Sequence, residues 1–151
     1  MAGKTAGRRK SAGVVTSSKT PKAATITRIL VSIPRQKLFA YAGETLVYEF
    51  DCVTGRAGKE TDVGRHRIFK KVKDYVSRTY QTPMPYSMFF TSDGKAIHES
   101  TAVWLRSLGK ALGAEQLGIP LGSHGCVGLN HEDAAALYER TPLNTLVEVV
   151  G

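Results

Sequence analysis

The sequence predicts a mainly β domain that carries about two helical insertions. Three observations predict it: short runs of apolar residues follow strand spacing, turn residues separate these runs, and only two segments show helical spacing. The chain has 151 residues, of which 42% are hydrophobic. That length and content suit a single domain with a core of ordinary size.

Seven short segments have the alternation or the aromatic and β-branched content of strands. They cover residues 29–33, 38–41, 46–53, 67–72, 86–91, 95–98 and 145–150. The first three predict a meander that closes at Thr54-Gly55, and Ser92-Asp93-Gly94 predicts a hairpin turn. Residues 55–66, rich in glycine and charge, predict a loop, and the two prolines within residues 79–85 predict irregular structure.

Two segments predict helices. Four apolar residues from Trp104 onward recur at helical spacing and place an amphipathic helix over residues 101–112. Asn130 suits a helix N-cap, and the helix that follows continues to Arg140, just before Pro142.

The positive charge is concentrated at the front of the chain. The net charge is +8, yet residues 1–43 hold nine basic and no acidic residues, so the remainder is nearly neutral. Residues 1–24 contain little apolar mass and predict a basic disordered tail, whereas residues 25–151 predict the folded domain. Such a tail suits contact with nucleic acid or another polyanion, or is a plain flexible leader.

Several protein classes are excluded by pattern. No apolar run is long enough to predict a transmembrane segment, and no secretory signal is visible. Cys52 and Cys126 are too few for a disulfide framework, and we expect both to be free thiols.

The segment around Cys126 is the strongest indication of chemistry. His124 lies two residues before it, and Gly125 and its neighbouring glycines leave the backbone open to a substrate and its N–H groups available as donors. His98, at the end of a predicted strand, is a second candidate base for the thiol.

Two alternatives remain at this point. Cys126 could be a small buried apolar residue, as most free cysteines are. His98, His124 and Cys126 could also supply three ligands to zinc, although the chain lacks the usual zinc-ligand spacings.

Ser123-His124-Gly125-Cys126 resembles the active-site signature of the YkuD-type L,D-transpeptidases. Further segments resemble that family in the same order: the opening hairpin at 31–43, a Thr-Pro-x-Gly-x-Phe turn at 61–69, the strand and histidine at 84–98, and the last helix and strand at 133–150. The resemblance covers about residues 26–151. It implies a β-sandwich or barrel-like catalytic domain.

The resemblance also implies an activity. The family attacks peptidoglycan stem peptides at diaminopimelate, releases D-Ala, forms a thioester and resolves it with an amine of another stem or with water. By position, Cys126 is the nucleophile, His98 the general base, and His124 a further catalytic residue. The residues that shape the substrate or oxyanion pocket are Ser123, Gly125, Glu99, Tyr86 and Met88, although core packing is an equal reading of the last two. No metal or organic cofactor is needed, and a carbapenem-type acylating inhibitor is implied as a further ligand.

Four departures from the family pattern stand out. Gly128 replaces an arginine that many members have, so substrate carboxylates would be bound elsewhere, for which Arg65, Arg67 and Arg106 are candidates. Glu99 follows the histidine where Gly or Ser is usual. The interval between His98 and Ser123 is longer than usual and predicts either a lid or a surface insertion. No export signal is visible, although the family's substrate lies outside the cytoplasm.

Other functions remain open from the sequence. The family implies the periplasm or cell envelope, reached by non-classical export or as a truncated form of a longer exported enzyme. An antibacterial effector with L,D-carboxypeptidase or exchange activity fits the same residues. A non-catalytic module that binds cell wall or nucleic acid is the alternative from another class, but the near-neutral body gives no specific nucleic-acid surface.

Overall fold

The computed structural model describes residues 24–78, 81–103 and 125–151. It contains nine strands in these ranges: β1 Arg28–Ser32, β2 Lys37–Ala42, β3 Thr45–Asp51, β4 Gly64–Arg67, β5 Lys70–Ser77, β6 Thr82–Phe89, β7 Ala96–Glu99, β8 Val127–Leu129 and β9 Leu146–Val150. The helix α1 spans His131–Arg140.

The strands form two sheets. The first has the order β3-β2-β1-β9-β4, in which β1 and β9 are parallel and all other pairs are antiparallel. The second has the order β5-β6-β7-β8, in which β7 and β8 are parallel. The prediction of a mainly β domain is therefore confirmed.

The main core is shared by both sheets and the helix. Fully buried side chains come from the first sheet, the second sheet and α1, for example Ile29, Val147, Ile97, Val127 and Leu137. This burial of apolar surface supplies the main stabilisation and holds β7 and β8 in place.

Two of the predicted strand boundaries are wrong. Residues 67–72 form no single strand: β4 ends at Arg67, β5 begins at Lys70, and the two belong to different sheets. The chain changes sheet at Ile68, which is fully buried and exchanges backbone hydrogen bonds with residues 144 and 145.

The segment predicted as irregular, residues 79–85, contains the start of β6. Pro83 and Pro85 pair with β5, whereas β7 pairs with β6 only at Met88 and Phe89. Backbone nitrogens two residues apart point to the same side of a strand, so both prolines can place their missing N–H groups on the side without β7.

The helix predicted after Asn130 is confirmed. Asn130 has an extended backbone and its carbonyl accepts from Ala134 N at 2.9 Å, but its side chain makes no capping hydrogen bond. The predicted helix over 101–112 falls largely on residues 104–124, outside the described residues. So does the predicted tail, residues 1–24, apart from Ala24. No helix in the described ranges is long and apolar enough to cross a membrane.

Candidate active site

The two residues with the strongest chemical signal, His98 and Cys126, belong to neighbouring segments of the second sheet: His98 lies on β7, and Cys126 immediately precedes the parallel strand β8. His98 on β7 is in register with Gly128 on β8, and Ile97 with Val127. Extending this register by one residue places Ala96 beside Cys126, and the Ala96 N–H donates to Cys126 Sγ at 3.4 Å. His98 and Cys126 are therefore diagonal neighbours on one face of the second sheet.

That face is turned away from the main core. Ile97 and Val127, which alternate with His98 and Cys126, belong to the main core. Cys126 instead packs against a smaller apolar cluster formed by Met84, Phe89 and Ala96. Burial in this cluster raises the pKa of the Cys126 thiol, while the Ala96 hydrogen bond and the charge of Lys95 act in the opposite direction.

The protonation of His98 follows from its surroundings. The side chain is buried, and this desolvation lowers its pKa, so the imidazole is neutral at neutral pH. His98 Nδ1 lies 2.5 Å from the carbonyl oxygen of Glu99, which can only accept. The proton of the neutral ring is therefore on Nδ1, and Nε2 is left as the basic nitrogen.

Thr61 holds the backbone just before Cys126. Its hydroxyl donates to the Gly125 carbonyl at 2.9 Å and accepts from Gly55 N at 2.9 Å. Gly125 has a φ of +110°, which disfavours any residue with a side chain. Because the Gly125 carbonyl and the Cys126 N–H belong to one trans peptide, the Thr61 bond also orients that N–H.

Comparison with known proteins assigns the chain to a family. Residues 26–149 match the sequence model of the YkuD family, described as the L,D-transpeptidase catalytic domain. The chain belongs to the YkuD family. No curated protein sequence matches it.

Solved structures of L,D-transpeptidases share the fold of this YkuD domain. One from Stackebrandtia nassauensis has a TM-score of 0.68 and 26% identity, over 90% of this chain and 60% of that one. One from Mycobacterium smegmatis has a TM-score of 0.67 and 18% identity, over 82% and 58%. L,D-transpeptidase 3 from Mycobacterium tuberculosis, in complex with a faropenem-derived adduct, has a TM-score of 0.67 and 20% identity, over 82% and 59%. This chain thus spans about 60% of the length of the structures it matches.

Position 128 of this YkuD domain has no space for a side chain. A Cβ at this position would lie 2.7 Å from Ser100 Cβ and 3.2 Å from Ser100 Oγ. Gly128 also exchanges two backbone hydrogen bonds with Val53, at 3.0 and 2.8 Å. Val53 holds the backbone of Gly128 on one side and the pairing with β7 holds it on the other, so it cannot move aside. The arginine that many family members have here would therefore collide with Ser100.

Glu99, the second departure from the family pattern, makes one contact through its backbone and another through its side chain. Its carbonyl orients His98, as described above, whereas its carboxylate bonds to His131 Nδ1 at 2.8 Å. His131 is exposed at the start of α1, and the Glu99 hydrogen bond raises its pKa. The carboxylate is therefore linked to the helix.

The remaining predicted site residues are dispersed. Met88 is fully buried in the main core, in register with Ile97, so it lies on the sheet face opposite His98. Tyr86 packs against the same core, and its ring lies 5.5 Å from that of Tyr138 on α1. Its φ of +59° marks a local kink in β6.

The candidates for binding a substrate carboxylate lie elsewhere or outside the described residues. Arg65 and Arg67 are on β4 in the first sheet, where they contact Glu148 and the Asn144 carbonyl. Arg106, Ser123 and His124 lie outside the described residues, as does most of the interval predicted as a lid or insertion.

Neither Cys52 nor Cys126 forms a disulfide bond, as predicted. Among the residues that the structure describes, no group of three or more His, Cys, Asp and Glu side chains is arranged to hold a metal. The zinc alternative needs His124, which is outside this set.

The residues that sequence reasoning missed are Thr61, Lys95 and Ser100. Thr61 lies in the segment that resembles the family turn, so the resemblance could have indicated it. Lys95 and Ser100 carry no motif, and they become visible only through their contacts with Gly125 and Gly128.

Proposed function

We propose that this chain is a cysteine L,D-transpeptidase that acts on peptidoglycan stem peptides. The observation that carries the proposal is that Cys126, immediately before β8, and His98, on the adjacent strand β7, fall on one face of the second sheet. The Glu99 carbonyl holds the proton of His98 on Nδ1 and leaves Nε2 as a base. A thiol beside a neutral imidazole is the pairing that nucleophilic acyl transfer needs.

The first half-reaction follows from the protonation states. Burial favours a neutral thiol at Cys126 and a neutral imidazole at His98, so proton transfer accompanies attack. Cys126 Sγ forms a bond to the carbonyl carbon at the L-centre of diaminopimelate while His98 Nε2 takes the thiol proton. The bond from that carbon to the D-Ala nitrogen then breaks, and the imidazolium returns the proton to the leaving amine. A thioester to Cys126 remains.

The second half-reaction reverses these roles. An amine of another stem attacks the thioester carbon and gives a proton to His98, and the Cys126 thiolate leaves and is reprotonated. The product is an amide between two diaminopimelates. Water in place of the amine gives a trimmed stem, which is the L,D-carboxypeptidase outcome.

The backbone N–H groups of Gly125 and Cys126 are the proposed oxyanion donors. Thr61 supports this assignment, since its bond to the Gly125 carbonyl fixes the peptide that carries the Cys126 N–H. On the basis of the sequence motif alone, we propose His124 as a further catalytic residue and Ser123 as a residue that shapes the substrate pocket.

A β-lactam of the carbapenem or penem class should acylate Cys126 by the same attack. A related L,D-transpeptidase carries a faropenem-derived adduct, and another is in complex with imipenem. The substrate places the site of action in the cell envelope.

The test is turnover of tetrapeptide-bearing muropeptides, followed by mass spectrometry of the products and of the intact protein. We expect D-Ala release and an acyl adduct with the unaltered protein and with Cys52→Ala, which removes the other, buried cysteine. Cys126→Ala should abolish both. Turnover that persists in Cys126→Ala contradicts the proposal, and the ratio of cross-linked dimer to tripeptide separates transpeptidase from carboxypeptidase activity.

A further inference from the structure

Lys95 lies against the backbone segment that carries Cys126. It follows the turn between β6 and β7, and its carbonyl accepts from Phe90 N at 3.0 Å. A Cβ on Gly125 would lie 2.5 Å from Lys95 Cε and 3.0 Å from Cδ. The aliphatic stem of Lys95 therefore occupies the space beside Gly125 that a larger residue would fill.

The ammonium end of Lys95 is held by two carboxylates. Its Nζ lies 2.8 Å from Asp62 Oδ1 and 3.4 Å from Asp93 Oδ2, and its side chain is only 18% exposed. Asp62 follows Thr61 at the position where the family's Thr-Pro turn has proline. One side of Gly125 is thus held by the Thr61 hydroxyl and another by Lys95, which is itself anchored to the residue next to Thr61.

The charges around the thiol act in opposite directions. Lys95 lowers the pKa of Cys126 and Asp93 raises it. The bond to Asp62 raises the pKa of Lys95, and a hydrogen bond from Thr91 lowers the pKa of Asp93, so both keep their charge over the range in which a thiol titrates.

Two further titratable groups lie close by. Glu60 is exposed, and the pKa of its carboxylate is lowered mainly by the hydrogen bond that Gly58 N donates to it and to a smaller extent by the charge of Lys95. His98 lies on β7, on the same sheet face as Cys126.

The geometry points to Lys95, anchored by Asp62, as a positioning residue that holds the Gly125–Cys126 segment and places a positive charge beside the sulfur. The inference rests on the proposed function, in which Cys126 is the nucleophile. Lys95 does not contact reacting atoms itself; it acts through Cys126. Asp93, whose Oδ2 lies 3.4 Å from Lys95 Nζ, partly offsets that charge.

The test is the pH dependence of Cys126 alkylation by iodoacetamide in the full chain, followed on the Cys126 peptide by mass spectrometry. The thiolate is the reactive form, so the rate reports its population. Lys95→Met keeps most of the stem and removes the charge, and we expect about a threefold slower reaction at neutral pH with a midpoint at higher pH. Asp93→Asn should change the rate and the midpoint in the opposite direction.

The matched control is Lys73→Met, which makes the same change of net charge at an exposed site on β5. It should leave the alkylation profile unchanged. Lys95→Arg keeps the charge and should retain a profile close to that of the unaltered protein. If Lys95→Met does not fold, Lys95→Arg and Asp93→Asn together provide the test.

Two outcomes overturn the inference. If Lys95→Met matches Lys73→Met, the charge of Lys95 does not reach the sulfur. If Lys95→Met and Asp93→Asn shift the midpoint in the same direction, the substitutions act by disturbing the loop rather than by charge.

Failure of this inference is distinguishable from failure of the proposed function. Alkylation needs no stem peptide, whereas the proposed function stands or falls on muropeptide turnover in Cys126→Ala. If the unaltered protein turns over muropeptides, Lys95→Met should lower kcat and leave KM nearly unchanged, since Lys95 acts on the nucleophile and not on the substrate.

Discussion

The steric complementarity between Gly128 and Ser100 predicts a strong coupling between two substitutions. In Gly128→Ala the new Cβ would lie 2.7 Å from Ser100 Cβ, which is closer than two non-bonded carbon atoms can approach. Gly128 exchanges two backbone hydrogen bonds with Val53 on one side, and its strand β8 pairs with β7 on the other, so its backbone resists displacement. We therefore expect Gly128→Ala to lower the free energy of unfolding by about 1–3 kcal/mol, the usual cost of overpacking.

Removing the colliding atom should relieve this cost. Ser100→Gly alone loses the hydrogen bond from Ala102 N to Ser100 Oγ, at 3.0 Å, and adds backbone freedom, which together cost about 1–2 kcal/mol. In the double variant, Gly128→Ala should cost less than about 0.5 kcal/mol, so the two changes are strongly non-additive.

The matched control is Ser100→Ala, which removes the hydroxyl but keeps the Cβ that collides. Gly128→Ala should remain costly in that background. Urea unfolding followed by circular dichroism measures all five variants and the unaltered protein, and a cost of about 2 kcal/mol moves the midpoint by about 1 M. The steric argument fails if Gly128→Ala costs the same in the Ser100→Gly and unaltered backgrounds, or if Ser100→Ala relieves it equally well.

Three further predictions concern the protonation of two histidines and the backbone beside Cys126. Burial lowers the pKa of His98, so the contribution of the neutral side chain to stability should be lost as pH falls below the ordinary value of 6.5. For the same reason the acid limb of the pH profile of kcat/KM should lie below pH 6.5. An acid limb above pH 6.5 would contradict this. The hydrogen bond to Glu99 raises the pKa of exposed His131, so this pair stabilises the fold below pH 6.5, and its effect is lost as pH rises through the raised pKa. Glu99→Gln should weaken this second dependence in urea titrations at several pH values. Thr61→Val should lower the free energy of unfolding by about 1–3 kcal/mol and also lower kcat, because it removes buried bonds to Gly125 and Gly55. Thr61→Ser keeps the hydroxyl and should retain both, so equal losses in the two variants would refute the role of that hydroxyl.

Part of the fold is encoded locally and could be predicted. The alternation in residues 29–33 indicates which face of β1 is buried, because strand side chains alternate between faces. In β3 the alternation is interrupted: it puts Val47 on the face opposite Tyr48 and Phe50, yet Val47 is the buried residue, at a shift of register with β2 that no local pattern predicts. The helix after Asn130 was also predictable, since its cap residue and the proline beyond its end are local signals. The two prolines of β6 misled the prediction because their tolerance depends on which side of the strand carries a neighbour.

The same division holds for the candidate site. The sequence by itself determined the family, and it singled out Cys126 and His98 as the proposed reactive residues, because motif spacing is a local property. Only the tertiary structure decided what surrounds them: that Glu99 orients His98 through its carbonyl, that Ser100 occupies the space beside Gly128, and that Thr61 and Lys95 hold the backbone at Gly125. These contacts join residues that are distant in sequence, and their existence depends on strand register and on side-chain volume in three dimensions, which no single segment of the chain encodes.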